Sequence, residues 1–239
     1  MLGLQFAIGS ANDLADVEDD RAVKPYKPIP AGLVSRRAAS AVCVSGAALG
    51  FMSAATVGPG AVILGAVGLA DGLLYDLRLK RTPLAWTAFA AGVGLLPLYG
   101  WYGVRGSVPA ALPGVVALAV VAGAALAIAN AYVDLESDGR SGVPSVAAVL
   151  GARVTLMVDG AMLAVVQVVA VATTFTIPWS PPALLLEGLG CGLAWLGFGL
   201  AAVRDDRVRP LVWEFQALGI LVLGAAWLSM LSSAGMMGR

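Results

Sequence analysis

From residue 34 onward the chain runs in apolar blocks separated by short polar breaks. Seven blocks, at 34–56, 60–78, 84–103, 108–132, 153–175, 181–203 and 211–233, carry few or no charges. Each has about the 20 residues that an α-helix needs to cross a hydrocarbon core of roughly 30 Å. None alternates apolar and polar residues as a barrel strand does, and lipid offers no partners to backbone N–H and C=O groups, so the spans must be helices. Ahead of the first block stand eleven mostly apolar residues and then the stretch NDLADVEDDRAVKPYKPIP at 12–30, where five carboxylates and three basic side chains crowd together. The pattern predicts an all-α fold: a polytopic transmembrane helical bundle of about seven full spans plus a partial N-terminal helix.

Composition agrees: 59% of residues are apolar and only 13% charged, with 30 glycines, which excludes an ordinary soluble domain. The net charge is zero, and nucleic acid is not an expected partner. Cys43 and Cys191 fall inside predicted spans and read as packing residues rather than a disulfide or zinc site. The first ten residues lack the basic n-region of a cleavable signal peptide.

Charge sets the expected orientation. Alternating the loops gathers thirteen of the fifteen basic residues on one face: Arg21, Lys24, Lys27, Arg36, Arg37, Arg78, Lys80, Arg81, Arg140, Arg153, Arg204, Arg207 and Arg209. Arg105 and Arg239 remain on the other. The positive-inside rule makes the rich face cytoplasmic, and Tyr99, Trp101, Tyr102 and Trp179 then lie near the outer interface. The outer loops are short, so the chemistry belongs to the cytoplasmic face or to the bundle. The expected location is a prokaryotic cytoplasmic membrane, with the chain surrounded by membrane lipid.

The charged opening stretch has a partner. Asn12, Asp16 and Asp20 are spaced N-x3-D-x3-D, and 118 residues later Asn130, Asp134 and Asp138 repeat that spacing in NAYVDLESD. On a helix these offsets put each trio along one face, with Asp13 one turn before Asp16 and Asp20 on the same side. A weak internal repeat with one carboxylate cluster per half is a way to build a central site. Carboxylates gathered in this way repel one another unless a cation is present. Mg²⁺ meets the need, because it prefers carboxylate oxygen and is completed by substrate phosphates. Solvated loop charge is the competing reading, and identical spacing in two places weighs against it. A calcium loop is disfavoured because its glycine and terminal glutamate spacing are absent. Lys24, Lys27, Lys80 and Arg81 fall in the same loops as the aspartates, with Tyr75 and Arg78 just inside the preceding helix. Acid, divalent metal and Lys/Arg together suit a diphosphate, although topological bias alone also puts lysines here.

These residues carry a resemblance. NDLADVEDD fits the NDxxDxxxD motif of the UbiA superfamily of intramembrane prenyltransferases, and DLESD fits its second DxxxD motif. KPYKPIPAG resembles the segment after the first motif in chlorophyll-synthase-like and digeranylgeranylglyceryl-phosphate-synthase-like members. YDLRLKRTP is similar to the superfamily's Tyr…Lys loop, and GVPSVAAVLGAR to the segment after its second motif. The resemblance covers residues 5 to 155 and implies a helical bundle open laterally to lipid that binds an isoprenyl diphosphate through two Mg²⁺ ions. It implies that Asn12, Asp13, Asp16 and Asp20 serve the first metal and Asp134 and Asp138 the second, with Asp16, Asp134 and Tyr75 as the catalytic positions. Asn12, Arg21, Lys24, Lys27, Arg78, Lys80, Arg81 and Asn130 are its diphosphate-binding candidates. Ionisation to an allylic cation would be followed by attack from a small aromatic or lipid acceptor. With no histidine in the chain, the proton acceptor must be a carboxylate, tyrosine, carbonyl or the diphosphate itself.

The chain departs from the pattern in two ways. Many relatives carry an Arg just before the second motif's first Asp, where this chain has Val133, and a basic residue shortly after the motif, where it has GVPS; Arg140 is the available substitute. The family also has nine membrane helices. The resemblance therefore reads residues 1–239 as a single prenyltransferase domain lacking the first helix and part of the second, and implies roughly 30 to 50 further residues upstream, one and a half spans.

Other ionisable residues near spans are Asp71, Asp159 and Glu214; Asp71, one turn from Tyr75, could face the cavity, and the other two could snorkel. The glycines at 65, 68 and 72 read as close helix packing. Two further readings stand beside the prenyltransferase: a terpene cyclase of the same fold, and a non-catalytic or transporter-like membrane protein whose clusters bind cations.

Overall fold

The structure is a computed structural model that describes residues 1–203, 205 and 207–237, apart from the side chains of Asp19 and Val23. Arg204 and Arg239, counted above in the charge bias, lie outside the described residues. The described residues form helices α1 (Leu2–Ala15), α2 (Val17–Val23), α3 (Arg36–Val57), α4 (Pro59–Leu74) running into a π-helical turn (Tyr75–Leu79), and α5 (Ala85–Arg105). Then follow α6 (Leu112–Val133), α7 (Leu135–Ser141), α8 (Val146–Thr174), α9 (Pro181–Leu200) and α10 (Arg209–Ser233).

The second five helices repeat the plan of the first five. In both, a long helix stops one residue before the central aspartate of the trio, and a seven-residue helix begins one residue after it. In both, a serine then caps the next long helix: Ser35 Oγ accepts from Ala38 N at 3.1 Å, and Ser145 Oγ from Ala148 N at 3.4 Å. The sequence also repeats at the start of the fifth helix, as Pro83-Leu84-Ala85-Trp86 and Pro210-Leu211-Val212-Trp213.

Six helical segments are long and apolar enough to cross a membrane. The block at 84–103 is helical but falls outside those six; Thr87, the internal Pro97 and the polar-tipped Trp86, Tyr99, Trp101 and Tyr102 lower its apolar character. The block expected at 153–175 follows directly on a kink at Gly151, whose φ 75° and ψ 157° are not helical and set residues 146–150 apart from the span.

The chain divides into two compact units, Met1–Lys80 with Leu98–Val108, and Arg81–Pro97 with Pro109–Arg239. In the first unit α1 packs on α3 through glycine: a Cβ on Gly3 would stand 2.6 Å from Gly46 O and 2.8 Å from Gly50 N. Lipid gives helices no hydrophobic incentive to associate, so such backbone contact supplies the dispersion that does. Alongside α4, Ile8 occupies the space that a side chain at Gly72 would need. At the start of α1 the Met1 amino group donates to Tyr99 Oη at 3.5 Å, Tyr102 lies over Gly60, and Arg105 stands 5.9 Å from the Trp101 ring centroid. The tyrosines and Trp101 thus collect at the end of the unit opposite residues 12–20.

The second unit has its core at Ala125, Leu163 and Ala194, with Met162, Phe198 and Ile220 packed against them. Helix α8 is tied to its neighbours by side-chain hydrogen bonds. Gln216 Nε2 donates to Asp159 Oδ2 at 2.9 Å, Trp227 Nε1 to Thr173 Oγ1 at 2.7 Å, Trp195 Nε1 to Gln167 Oε1 at 2.7 Å, and Thr174 Oγ1 to Glu187 Oε1 at 3.0 Å. Asp159 therefore does not snorkel: it is fully buried on the face of α8 that meets Gln216 of α10. Glu214 does lie exposed.

Glycine packing and helix count each generate an expected outcome. Gly219 sits where a Cβ would meet Gly190 O at 2.6 Å. Gly219→Val is therefore expected to push α9 from α10 and lower the thermal unfolding midpoint in detergent, at a cost of about 1–3 kcal/mol. Gly192→Ala, with nothing within 4 Å, should leave the midpoint unchanged or raise it. Three membrane-length helices separate residue 140 from residue 237. Reporter fusions at those two positions are expected on opposite faces of the membrane; the same face would refute the layout.

Candidate functional site

In the first unit the motif sits where α1 gives way to α2. The sequence pattern predicts one continuous helix, but Asp16 breaks it, with φ −90° and ψ 0°. The axial repeat survives the break, because Asp16 N donates to Asn12 O at 3.0 Å and Asp20 N to Asp16 O at 2.8 Å. Asn12, Asp16 and Asp20 therefore keep a one-turn spacing while the axis bends at the middle carboxylate.

Two lysines reach the trio from outside it. Lys27 Nζ donates to Asp13 Oδ1 at 3.1 Å and stands 2.7 Å from Asp20 Oδ2. Lys80 pairs with Asp16 Oδ2. The hydrogen bond to Asp20 holds the Lys27 ammonium above its usual range, outweighing the opposing effect of burial, so Lys27 stays charged. Bends in the 24–34 segment, including Lys27 N to Lys24 O at 3.0 Å and Ala31 N to Lys27 O at 2.9 Å, fold it back over the motif. At the end of α4, the π turn closes with Lys80 N donating to Tyr75 O at 2.8 Å. That turn also brings Asp76, which the sequence reading passed over, to accept from Asn12 Nδ2 at 2.6 Å. Its signal was present: Asp76 and Lys80 are spaced like Asn12 and Asp16, and each contact joins residues 64 apart.

The remaining candidates spread out. Tyr75 is half-buried at the C-cap of α4. Arg78 and Lys24 are exposed, and Arg21 is drawn to Glu18 at 2.9 Å, away from the aspartates. Arg81 opens the second unit, exposed. Asp71 is half-buried.

The second motif repeats the construction. Asp134 ends α6 with φ −84° and ψ −2°, and Asp138 N donates to its carbonyl at 2.8 Å. Asn130 Nδ2 donates to Asp134 Oδ2 at 3.1 Å, and Asn130 and Asp134 are exposed where Asp138 is half-buried. Gly142, at φ 68°, stops α7 in the left-handed region. A second residue the sequence reading overlooked here is Arg209, at the start of α10, which holds Glu136 Oε1 at 2.5 Å. The guanidinium keeps the Glu136 carboxyl below its usual range. Arg140, the expected substitute for the family's missing arginine, is exposed and makes a weaker electrostatic contribution to Glu136.

Among the described residues no three acidic side chains converge into a ready-made metal cage. The donor set still fits a hard cation: every donor is an oxygen, Mg²⁺ needs only one or two carboxylates besides water and phosphate, and the buried Asp76 Oδ2 accepts no hydrogen bond. The second unit also holds a cavity of about 370 Å³ lined by apolar side chains including Val93, Val115, Ala122, Val166 and Leu223. Ala122 lies two turns before Asn130 on α6, about 12 Å along the axis.

Residues 1–218 match the UbiA prenyltransferase family. The digeranylgeranylglyceryl phosphate synthase of Hyperthermus butylicus is 28% identical over 214 residues, covering 83% of this chain and 70% of that protein. Two further relatives are covered over only 47% and 52% of their length. Among solved structures, a UbiA homolog from Aeropyrum pernix superposes with a TM-score of 0.73 at 23% identity, over 95% of this chain and 85% of that one. Another, from Archaeoglobus fulgidus and bound to GPP and Mg²⁺, gives 0.68 at 18% identity, over 93% and 86%. Those likenesses show a shared all-helical membrane fold, and with nearly the whole sequence matched, the chain belongs to the UbiA prenyltransferase family.

Proposed function

We propose that this protein transfers a prenyl group from an isoprenyl diphosphate to a small aromatic or lipid acceptor, with Mg²⁺ at its two Asp-rich motifs. The observation that carries the reading is the duplicated construction: twice, a helix bends at the middle carboxylate of N-x3-D-x3-D, and twice a basic side chain from another segment comes to that short stretch. The GPP and Mg²⁺ in the Archaeoglobus homolog support it.

In this reading Asn12, Asp13, Asp16 and Asp20 hold one cation, and Asp134 and Asp138 the other, with Asn130 bracing Asp134. The metal would supply positive charge against the diphosphate. Lys27 and Lys80 are then free to leave their aspartates and receive phosphate oxygens, with Arg21, Lys24, Arg78, Arg81 and Tyr75 on the flanking segments as further contacts. The allylic C–O bond breaks with both electrons on the departing diphosphate, the acceptor's nucleophile attacks the cation, and a proton leaves the adduct. The apolar cavity suits the prenyl tail, and its lining keeps out the water that would otherwise quench the cation.

Purified protein offered C10, C15 and C20 diphosphates, with and without candidate acceptors, is expected to release diphosphate and form a prenylated product visible by mass spectrometry only when acceptor and Mg²⁺ are both present. A cyclised product without acceptor would identify a terpene cyclase, and no diphosphate release would leave a cation-binding membrane protein. Asp16→Asn and Asp134→Asn should each cut turnover by about 100-fold while membrane insertion is retained. Activity surviving in both would sink the two-metal reading.

A further inference from the structure

We infer that Asp76, outside both Asp-rich motifs, is a further ligand of the cation held at the first motif, offering Oδ2 while Oδ1 anchors Asn12. The inference rests on the proposed function only in requiring that a divalent cation binds there.

Register is the first argument. Three contacts climb α1 and α4 together: Ile8 against Gly72, Asn12 with Asp76, and Asp16 with Lys80. The two helices therefore run side by side in parallel, and the ladder ends in the motif. The last two rungs fall on the π turn from Tyr75 to Leu79, which closes with Lys80 N donating to Tyr75 O at 2.8 Å. Such turns inside helices recur at functional sites.

Hydrogen-bond capacity is the second. A carboxylate only accepts, so Asp76 Oδ1 must face the amide nitrogen of Asn12, which leaves the Asn12 carbonyl oxygen as the group available for a cation. Asp76 Oδ2 is buried and accepts no hydrogen bond. Asp20 Oδ2, also buried, has Lys27 at 2.7 Å to offset it. A carboxylate oxygen removed from water without a partner is costly, and the charges of Lys80, Asp16 and Asp13 all act on Asp76 from nearby. A divalent cation on the Asn12 side would satisfy the free oxygen and offset the repulsion from Asp16 and Asp13 in one step.

The test is direct metal binding. Full-length protein carrying Asp134→Asn, so that the first motif dominates, is titrated with Mn²⁺ by electron paramagnetic resonance, alone and with Asp76→Asn added. The amide introduced by Asp76→Asn can still accept from Asn12 but has lost the charge. Mn²⁺ binding is expected to weaken by about tenfold or more, the unfolding midpoint without metal to stay put, and the metal-induced rise in midpoint to shrink. Affinity within twofold of the parent overturns the inference. If Asp76→Asn lowers the metal-free midpoint, Asp76→Glu decides: recovered Mn²⁺ binding supports a ligand, and a loss equal to that caused by Asp76→Asn overturns it. Wild-type protein that turns over while Asp76→Asn binds Mn²⁺ normally refutes this inference alone. Wild-type protein that never releases diphosphate refutes the proposed reaction and leaves the metal result standing.

Discussion

Carboxylates one helical turn apart repel each other, and the arrangement at the motif end of the first unit follows from how that repulsion is offset. Asp13 and Asp20 share one ammonium and Asp16 takes another, so a lysine from just after α2 and a second one 64 residues beyond Asp16 are drawn onto a helix of only 14 residues and its short continuation. Each ion pair is partly solvent-exposed and stabilises modestly alone. What the pairs do together is set position: Lys27 folds the proline-rich segment after α2 back on the motif, and Lys80 fixes where α4 must end. The glycine contacts of α1 with α3 and α4 then become possible, because a helix anchored at its motif end can be pressed against its neighbours along its length.

The second unit meets the same physical problem by other means. Its buried ionisable groups, Asp159 and Glu187, lie within the span of the helices, where lipid and packed side chains supply no counter-charge. Each is instead hydrogen-bonded to an uncharged side chain of a neighbouring helix, Gln216 or Thr174. Interhelical bonds of this kind join α8 to both α9 and α10, and the approach of Gly190 and Gly219 brings those two helices into backbone contact.

Much of this was legible in the sequence. Apolar blocks gave helices because a bilayer leaves no alternative, and the repeated N-x3-D-x3-D gave the paired motifs because a period of four is a helix property. The break at Asp16 was not, since i to i+4 bonds continue through it and the spacing is unchanged. Asp76 and Arg209 escaped for a different reason: each acts on a residue more than 60 positions away, and only the register between two helices says which one. The burial of Asp159 was not legible because distance from a span's end does not say which face of α8 packs on α10, where Gln216 meets the carboxylate.

The two motifs share a backbone plan but not an environment. Asp20 is buried and Asp16 and Asp13 are partly so, whereas Asn130 and Asp134 are exposed. Water reaches Asn130 and Asp134 directly, Asp138 is half-buried, and Arg209 holds Glu136 beside them. The first set has lost part of that hydration and depends on lysine. On the proposed reaction, a cation arriving at the first motif would have to displace an ammonium that is already well placed, and the displaced lysines would carry their charge to the accompanying anion. On the same proposal, a cation at the second motif would displace more water, and its retention would depend more on a phosphate it shares. The same carboxylate spacing thus gives a motif neutralised by its own lysines in one half and a more hydrated motif in the other.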